Sequence, residues 1–360
     1  DHSYFNWDLR TDRALVTRGQ DAVAERAGLN VLRADKTLLV LDELHKFNKW
    51  KSFLKGFFDV NADKCRIIVT GSSRLDIFKR GGDSLMGRYF TYRMHPFSVA
   101  ELVHAEAAGA EIRPPGNIGD DNFQALLQFG GFPEPFLKAS MRFYNRWAGL
   151  RTEQLFREDI RDAAQVREAK QIQMLAEILS SQTGQLVNYS SLAGDIGVSV
   201  DTIRRWIAIL ESFFFCFTVR PWFRNLPKSL RKQPKVYLRN WSTVENQVAR
   251  NENFIACHLL KAVDGWTDMG LGKYELCYLR DKTGREVDFV VTRNNKPWFL
   301  VEVKTSGNRE LNPRLAYFHQ LTGTDHAFQA VLEADYVDRD CFTERTPVIV
   351  PAKTLLSQLL

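Results

Sequence analysis

Two acidic residues, Asp42 and Glu43, directly follow an apolar run in the segment TLLVLDELHK, residues 37–46. A continuous apolar run is typical of a strand buried on both faces of a parallel sheet, where functional side chains lie at the carboxyl end. One carboxylate there can hold magnesium, while a second orients and polarises the water that attacks a phosphate. We therefore predict that Asp42 binds magnesium and that Glu43 is the catalytic, water-orienting group of a nucleotide-hydrolysing site.

A second apolar run, CRIIVTGSSR at residues 65–74, ends in small polar residues and predicts a neighbouring strand. At its carboxyl end Thr70 or Ser72 would lie beside the acidic pair and contact the terminal phosphate of a nucleotide. Aromatic residues of the intervening segment KFNKWKSFLKGFFDV recur at helical spacing, which predicts a crossover helix. An acidic turn after a core strand is the alternative interpretation of the acidic pair, and the two strands together favour the functional one.

The 360 residues contain no phosphate-binding loop of the usual pattern, Gly-x4-Gly-Lys-Ser/Thr. That pattern lets backbone N–H groups cradle the phosphates while the lysine reaches the outer ones. Gly82 and Gly87 have the required spacing, but Arg88 and Tyr89 follow them and no strand leads into the segment. This segment is therefore not the loop.

Two runs in the last third, GREVDFVVTR and PWFLVEVKTS, are joined by NNK at residues 294–296 and predict a hairpin. Because side chains alternate along a strand, Asp288 shares a face with Val290, and Glu302 and Lys304 share a face with Leu300. In the expected register the three charged side chains converge beside apolar neighbours. Partly buried charges need a partner or a metal.

An aspartate followed by Glu-x-Lys is the layout of the PD-(D/E)XK nuclease fold. There Asp288 and Glu302 would hold a magnesium ion that activates water, and Lys304 would be the catalytic group that orients this water and stabilises negative charge. The preceding helical segment ENFIACHLLKAV offers Glu252 as a further metal ligand. We predict an α/β restriction-endonuclease-like domain over residues 241–360, with a cross-strand ion pair on a solvated sheet as the alternative.

Residues 172–211 divide into three helical segments, the third being VSVDTIRRWIAILES, with Ser190 and Ser199 as expected N-caps of the second and third. The segments FFFCFTVRPWFRN and KVYLR can supply the strands of a wing. This is the layout of a winged helix-turn-helix, which we predict for residues 171–240 after a helical lid or linker at 121–170.

The span from Ser212 to Val244 contains no Asp or Glu but seven Lys and Arg residues, including Lys235 and Arg239. A stripe of one charge sign is a candidate contact for a phosphate backbone. A solvated face, or a docking surface for an acidic domain or a protein partner, is the alternative. The predicted nucleic-acid contacts are Arg204, Arg205, Arg224, Lys228, Arg231 and Lys232.

The net charge of +6 favours anionic partners only mildly. The five cysteines are scattered without a Cys-x-x-Cys pair, which predicts no zinc site or disulfide framework and fits the reducing cytoplasm. No apolar run approaches the ~18 residues that a membrane span needs. Length alone predicts two or three domains.

The segments YFNWD, LLVLDELHK, IIVTGSSR and LMGRYFTYRMHPFSVAEL occur in this order in prokaryotic AAA-family ATPases of the type 14 group, which this chain resembles over nearly its whole length. The resemblance implies a P-loop NTPase-type parallel sheet over residues 1–120, with a phosphate loop some tens of residues before YFNWD. We therefore expect that the natural protein carries the loop upstream of Asp1. The resemblance also assigns Arg88 to the nucleotide-binding region, where an arginine can stabilise phosphoryl charge. A loop arginine that pairs with a local carboxylate is the alternative interpretation, and the one we favour.

The sequence thus leads to two hypotheses. In the first, an ATP-binding AAA-type ATPase, with ATP and Mg²⁺ as cofactors, is coupled to a nucleic-acid-associated, nuclease-like C-terminal domain. In the second, the C-terminal part is a non-catalytic module that binds nucleic acid or protein, and the ATP-dependent domain acts as a switch.

Overall fold

The computed structural model describes residues 2–71, 85, 87–106, 109–160, 166–222, 233–306 and 310–360. The chain forms two compact units, residues 1–91 and 92–360. The first boundary therefore lies about thirty residues before the predicted one at residue 120. The reason is that Arg93 forms ion pairs of 2.5 Å with Asp264 and 2.6 Å with Asp268, which bind this segment into the second unit.

The first unit contains a parallel three-stranded sheet in the order β1-β2-β3. In its register Asn6 lies opposite Asp42, and Leu41 lies opposite Val69, so the carboxyl ends of the strands meet at one edge. The two predicted strands and the crossover helix between them are confirmed. The elements are β1 (His2–Asn6), α1 (Arg10–Arg18), α2 (Gln20–Arg26), β2 (Thr37–Asp42), α3 (Trp50–Asn61) and β3 (Cys65–Val69).

The second unit begins with helices that are short or interrupted. Their bounds are α4 (Val99–Val103), α5 (Asp120–Phe129), α6 (Pro133–Lys138), α7 (Met141–Gln154), a π-helical turn (Leu155–Ile160) and α8 (Val166–Ser181). Two further helices follow, α9 (Tyr189–Ile196) and α10 (Val200–Ser212). Together with the strands after them, α8 to α10 give the element order predicted for residues 171–240.

The helix caps of this region agree with the sequence at one position and differ at another. Ser199 caps α10, since its hydroxyl accepts a hydrogen bond of 3.1 Å from the Thr202 N–H, as predicted. The predicted cap Ser190 is wrong. Helix α9 begins at Tyr189, one residue before Ser190. Its N-cap is Asn188, whose backbone is extended and whose side chain accepts a hydrogen bond from the Ser191 N–H.

A seven-stranded mixed sheet in the order β10-β9-β8-β7-β6-β4-β5 forms the rest of the second unit. Strand β4 pairs in parallel with β6 and antiparallel with β5, so the strands expected to form a separate wing belong to the C-terminal sheet. The predicted division at residue 240 therefore runs through one sheet. The strands are β4 (Cys216–Pro221), β5 (Lys235–Leu238), β6 (Tyr274–Arg280), β7 (Glu286–Arg293), β8 (Lys296–Lys304), β9 (His326–Val331) and β10 (Val348–Pro351).

Strands β7 and β8 form the predicted hairpin, in which Val290 lies opposite Leu300. The connection has two residues rather than three, because Asn294 and Asn295 both adopt positive φ, 52° and 66°, and β8 already begins at Lys296. Two residues with positive φ match the right-handed twist of the flanking strands, and asparagine tolerates this conformation.

Helix α11 (Gln247–Asp268) packs against β5 to β8, and α12 (Pro313–Thr322) and α13 (Ala352–Ser357) complete the unit. The fully buried Asn253 joins α11 to β5: its Oδ1 accepts from the Leu238 N–H at 2.8 Å, and its Nδ2 donates to the Leu238 carbonyl at 2.7 Å. Among the described residues, neither α11 nor any other helix has the length and apolarity needed to cross a membrane.

We expect Asn253→Ala to lower the free energy of unfolding of the second unit by about 3 kcal/mol, because it leaves the buried Leu238 N–H without its partner and the Leu238 carbonyl with only the weak Cys257 thiol donor. Urea denaturation followed by intrinsic fluorescence measures this loss. The control is Asn145→Ala, which removes an exposed amide from α7 and should change the stability by less than about 0.5 kcal/mol. Equal losses in the two variants would contradict the clamp.

Candidate functional site

Asp42 is the last residue of β2, at the edge where the parallel strands of the first unit end. Its Oδ1 accepts a hydrogen bond from the Thr70 hydroxyl, and its Oδ2 accepts one of 2.5 Å from the Tyr4 hydroxyl. The Thr70 bond, followed by the Tyr4 bond, lowers the pKa of Asp42. The carboxylate is therefore ionised at neutral pH and fixed in direction by residues from both neighbouring strands.

Glu43, the next residue, leaves the strand with a left-handed backbone conformation, φ 55°. A non-glycine residue in this region is uncommon and marks a tight local constraint. The Glu43 carboxylate lies 3.0 Å from Lys46 Nζ and 3.9 Å from His45 Nε2. The two acidic residues are therefore held differently, Asp42 by hydroxyl groups of the sheet edge and Glu43 by basic side chains of the following turn.

Of the remaining residues predicted to contact nucleotide, Thr70 is in direct contact with Asp42, whereas Ser72 lies outside the described residues. Arg88 forms an ion pair with Asp59 of α3, its Nε lying 2.8 Å from Asp59 Oδ1. This is a local partner of the kind that any surface arginine can have. Its predicted contact with the nucleotide stays a prediction.

The residues at this edge fit a magnesium ion that arrives with a nucleotide. Magnesium in such sites takes one or two protein carboxylates and completes its shell with phosphate oxygens and water. Asp42 supplies one ionised carboxylate at the correct end of a parallel sheet, and Glu43 supplies a second acidic group one residue away. No further protein ligand is required.

The second unit brings four carboxylates together, which we call the acidic cluster: Glu252 of α11, Glu286 and Asp288 of β7, and Glu302 of β8. Asp288 Oδ2 accepts a hydrogen bond of 2.8 Å from the Val303 N–H of the facing strand. Burial, and then the charges of Glu252 and Glu302, raise the pKa of Asp288 well above its usual value. Glu252 and Glu302, two of the predicted metal ligands, therefore lie close enough to Asp288 for their charges to act on its carboxylate.

Lys235, at the start of β5, inserts its side chain into this cluster. It is only 4% exposed, and its Nζ lies 2.6 Å from Glu286 Oε1 and 3.2 Å from Glu252 Oε1. Burial by itself would lower the pKa of Lys235, but the carboxylates of Glu252, Asp288 and Glu286 outweigh it and raise the pKa. Lys235 is therefore a buried, permanently charged ammonium group.

The Glu302 carboxylate is held through only one of its oxygens. Its Oε1 accepts from Lys304 Nζ at 2.8 Å and from Asn312 Nδ2 at 2.6 Å, while its buried Oε2 has no hydrogen-bond partner among the described residues. Asn312 is positioned in turn by the fully buried Gln329, whose Oε1 accepts from the Asn312 N–H. Lys304 thus pairs with the carboxylate two residues before it.

This arrangement does not fit the magnesium site that the sequence pattern assigns to Asp288, Glu302 and Glu252. Metal-binding carboxylates must be ionised and available, whereas Lys235 and Lys304 already neutralise members of the cluster, and burial with the neighbouring carboxylates raises the pKa of Asp288. Within the described ranges, no three His, Cys, Asp or Glu side chains are grouped so that they could hold a metal ion. The catalytic role of Lys304 stays a prediction.

Sequence reasoning missed Lys235 as a member of the cluster because it counted this residue among a stripe of solvated charges. Arg239 of the same stripe is half-buried, with its NH1 3.1 Å from His95 Nδ1. Glu286 could have been found, since it shares a strand face with Asp288 two residues later. Lys235 could not, because its neighbours depend on β4 and β5 joining the sheet.

The described residues predicted to contact nucleic acid lie on α10. Arg204 and Arg205 are both exposed; the Arg204 guanidinium lies 5.2 Å from the centre of the Tyr189 ring, and Arg205 NH2 lies 2.7 Å from Glu168 Oε1. The other four predicted contacts lie outside the described residues: Arg224, Lys228, Arg231 and Lys232.

Three protein families match consecutive parts of the chain. Residues 1–103 match a family described as an AAA domain, residues 120–251 match "Domain of unknown function (DUF8612)", and residues 249–348 match "Domain of unknown function (DUF4143)". The first of these matches covers the three parallel strands and both acidic residues at their edge. The N-terminal part of the chain is therefore similar to an AAA domain, which supports its resemblance to AAA-family ATPases at that level.

Three uncharacterized proteins are similar to the chain at low identity. Uncharacterized proteins of Mycobacterium bovis and Mycobacterium tuberculosis are each 23% identical over 298 residues, which is 81% of this chain and 63% of theirs. An uncharacterized protein of Methanocaldococcus jannaschii is 24% identical over 264 residues, 65% of this chain and 53% of its own. The matched region thus spans less than two thirds of the length of these relatives.

We expect Thr70→Val to raise the pKa of Asp42 toward its ordinary value, because the substitution removes the hydrogen bond that lowers it most. A lowered pKa means that ionised Asp42 stabilises the folded first unit above the ordinary carboxyl range and that this stabilisation is lost on acidification. The difference in stability between wild type and Thr70→Val should therefore be largest at neutral pH and shrink in acid.

An NMR titration of labelled aspartate carboxyl carbons measures the pKa directly, and denaturation at several pH values measures the stability. Thr17→Val is the matched control, since the Thr17 hydroxyl donates only to the Arg13 carbonyl of its own helix in the hydrogen bonds described. A pKa of Asp42 that is the same in wild type and both variants would refute the role of Thr70.

Proposed function

We propose that the natural protein is an ATPase of the AAA type that binds ATP with Mg²⁺ at the carboxyl edge of the first sheet. The observation that carries this proposal is the ionised Asp42 carboxylate at the end of β2, held by Thr70 and Tyr4 from the two flanking strands. The match of residues 1–103 to an AAA domain supports it. When bound, ATP and its magnesium supply the phosphoanhydride bond to be hydrolysed and the charge that stabilises the leaving phosphate.

In this proposal each residue of the edge has its own task. Asp42 holds the magnesium, directly or through a water molecule. Glu43 orients the attacking water and accepts its proton, while Lys46, 3.0 Å away, fixes the direction of the Glu43 carboxylate. Thr70, which directly follows β3, donates a hydrogen bond to Asp42. The presence or loss of the terminal phosphate therefore affects both residues at the sheet edge.

We propose that the second unit is a nucleic-acid-binding module, and that cleavage is not its function. The exposed arginines of α10, Arg204 and Arg205, support binding, because outward cationic side chains on a helix can contact phosphates. The lysine-neutralised acidic cluster argues against a magnesium nuclease. If nucleic acid does not bind in the experiment below, a protein partner that contacts the same face of α10 is the remaining alternative.

We expect Glu43→Gln in the natural full-length polypeptide to reduce the rate of ATP hydrolysis at least about 100-fold while ATP still binds, because the amide cannot accept the water's proton. Phosphate release measures turnover, and fluorescent-nucleotide titration measures binding. Glu25→Gln, an exposed change on α2, is the control and should leave both unchanged. Unaltered turnover in Glu43→Gln would show that Glu43 is not the water-orienting group.

We expect Arg204→Ala to weaken binding of duplex DNA and to reduce the dependence of log K on log salt by about one, since one phosphate contact is lost. Fluorescence anisotropy at several salt concentrations measures both quantities. Arg146→Ala removes an equally exposed positive charge from α7 and should leave the salt slope unchanged. Failure of both single- and double-stranded nucleic acid to bind would contradict this proposal and leave a protein partner as the alternative.

A further inference from the structure

We infer that Lys235 is the resident counter-cation of the acidic cluster and occupies the role that the sequence pattern assigns to a magnesium ion. A divalent cation is excluded from the cluster as long as this ammonium group is in place. The inference concerns the second unit alone and does not depend on how the first unit uses nucleotide.

The contacts of Lys235 are those of a cation at the centre of a carboxylate site. Its ammonium group bridges Glu286 and Glu252, at 2.6 Å and 3.2 Å, and its charge also acts on Asp288. Tyr237 donates a second hydrogen bond, 2.6 Å long, to the same Glu252 oxygen. Of these two carboxylates, Glu252 is a predicted metal ligand, and Glu286 lies two residues before the predicted ligand Asp288 on the same face of β7.

The charge balance of the cluster leaves little need for a divalent ion. Three basic side chains contact three of its four carboxylates: Lys235 contacts Glu252 and Glu286, Lys304 contacts Glu302, and Arg280 NH1 lies 3.1 Å from Glu286 Oε2. With every group ionised the set carries one net negative charge, and a divalent cation would reverse its sign. Burying such uncompensated charge is unfavourable, so a metal ion and the Lys235 ammonium compete for the same carboxylates.

The backbone around Lys235 holds the ammonium group in this position. Alternation along β5 puts Lys235 and Tyr237 on one face, and both side chains reach Glu252. The same strand is held by the Leu186–Lys235 bridge at its start and by Asn253 at Leu238. These contacts keep the Lys235 backbone beside the cluster, so the ammonium group reaches Glu252 and Glu286 without any movement of β5.

Binding of Mn²⁺ to the whole chain, measured by electron paramagnetic resonance without nucleotide, tests the inference. All variants carry Asp42→Asn, so that the first unit contributes no signal through that residue. Adding Asp288→Asn to the parent chain should not reduce its Mn²⁺ binding. Lys235→Met should gain one Mn²⁺ site that the parent chain lacks, whereas Lys235→Arg, which keeps the charge, should not.

Asp288→Asn added to Lys235→Met should abolish the gained site, which would assign it to the acidic cluster. Mn²⁺ binding by the parent chain that Asp288→Asn removes would overturn the inference, as would a folded Lys235→Met chain that gains no site. Circular dichroism establishes whether Lys235→Met folds. If it does not, the comparison of the parent with Asp288→Asn decides the question alone. Failure here leaves the ATPase proposal intact, because that proposal is tested at Glu43.

Discussion

The buried ammonium group of Lys235 is the interaction on which the second unit depends. An isolated charge of this kind would be strongly unfavourable inside a protein, and breaking a buried ion pair by removing one partner typically costs about 3–5 kcal/mol. Here the group is matched by carboxylates from a helix, α11, and from a distant strand, β7. Strand β5, helix α11 and the hairpin must therefore fold together. If α11 separated from the sheet, Lys235 and Glu252 would lose each other as partners.

The first unit follows a different logic, in which strand direction does most of the positioning. Parallel strands end at a common edge, so Asp42 and Thr70 meet although they are 28 residues apart in sequence. Their meeting requires only that two apolar runs pair in register. The same edge also receives Tyr4 from β1, which the sequence did not indicate as a partner of Asp42.

How much of the molecule could be predicted follows from the range of each signal. Strands β2 and β3, the intervening helix, the Ser199 cap and the β7–β8 pairing were predictable, because periodicity, capping chemistry and a short turn act over a few residues. The pairing of β4 with β6 was not predictable, since it joins Arg220 to Cys277 and all of β5 and α11 lie between them in the sequence. The burial of Lys235 depends on this pairing and was not predictable for the same reason. The basic residues between Ser212 and Val244 were therefore all treated as one exposed stripe.

Strand β5 lies at the end of the seven-stranded sheet, yet its outer side offers no free backbone groups at its centre. Val236 exchanges hydrogen bonds with residues 184 and 185, and the Asn253 side chain takes up both groups of Leu238. An exposed strand edge is the usual template for uncontrolled association between chains through added strands. By covering this edge with its own loop and one amide, the protein denies other polypeptides a place to extend the sheet, and so the side that carries the buried charges is also protected against aggregation.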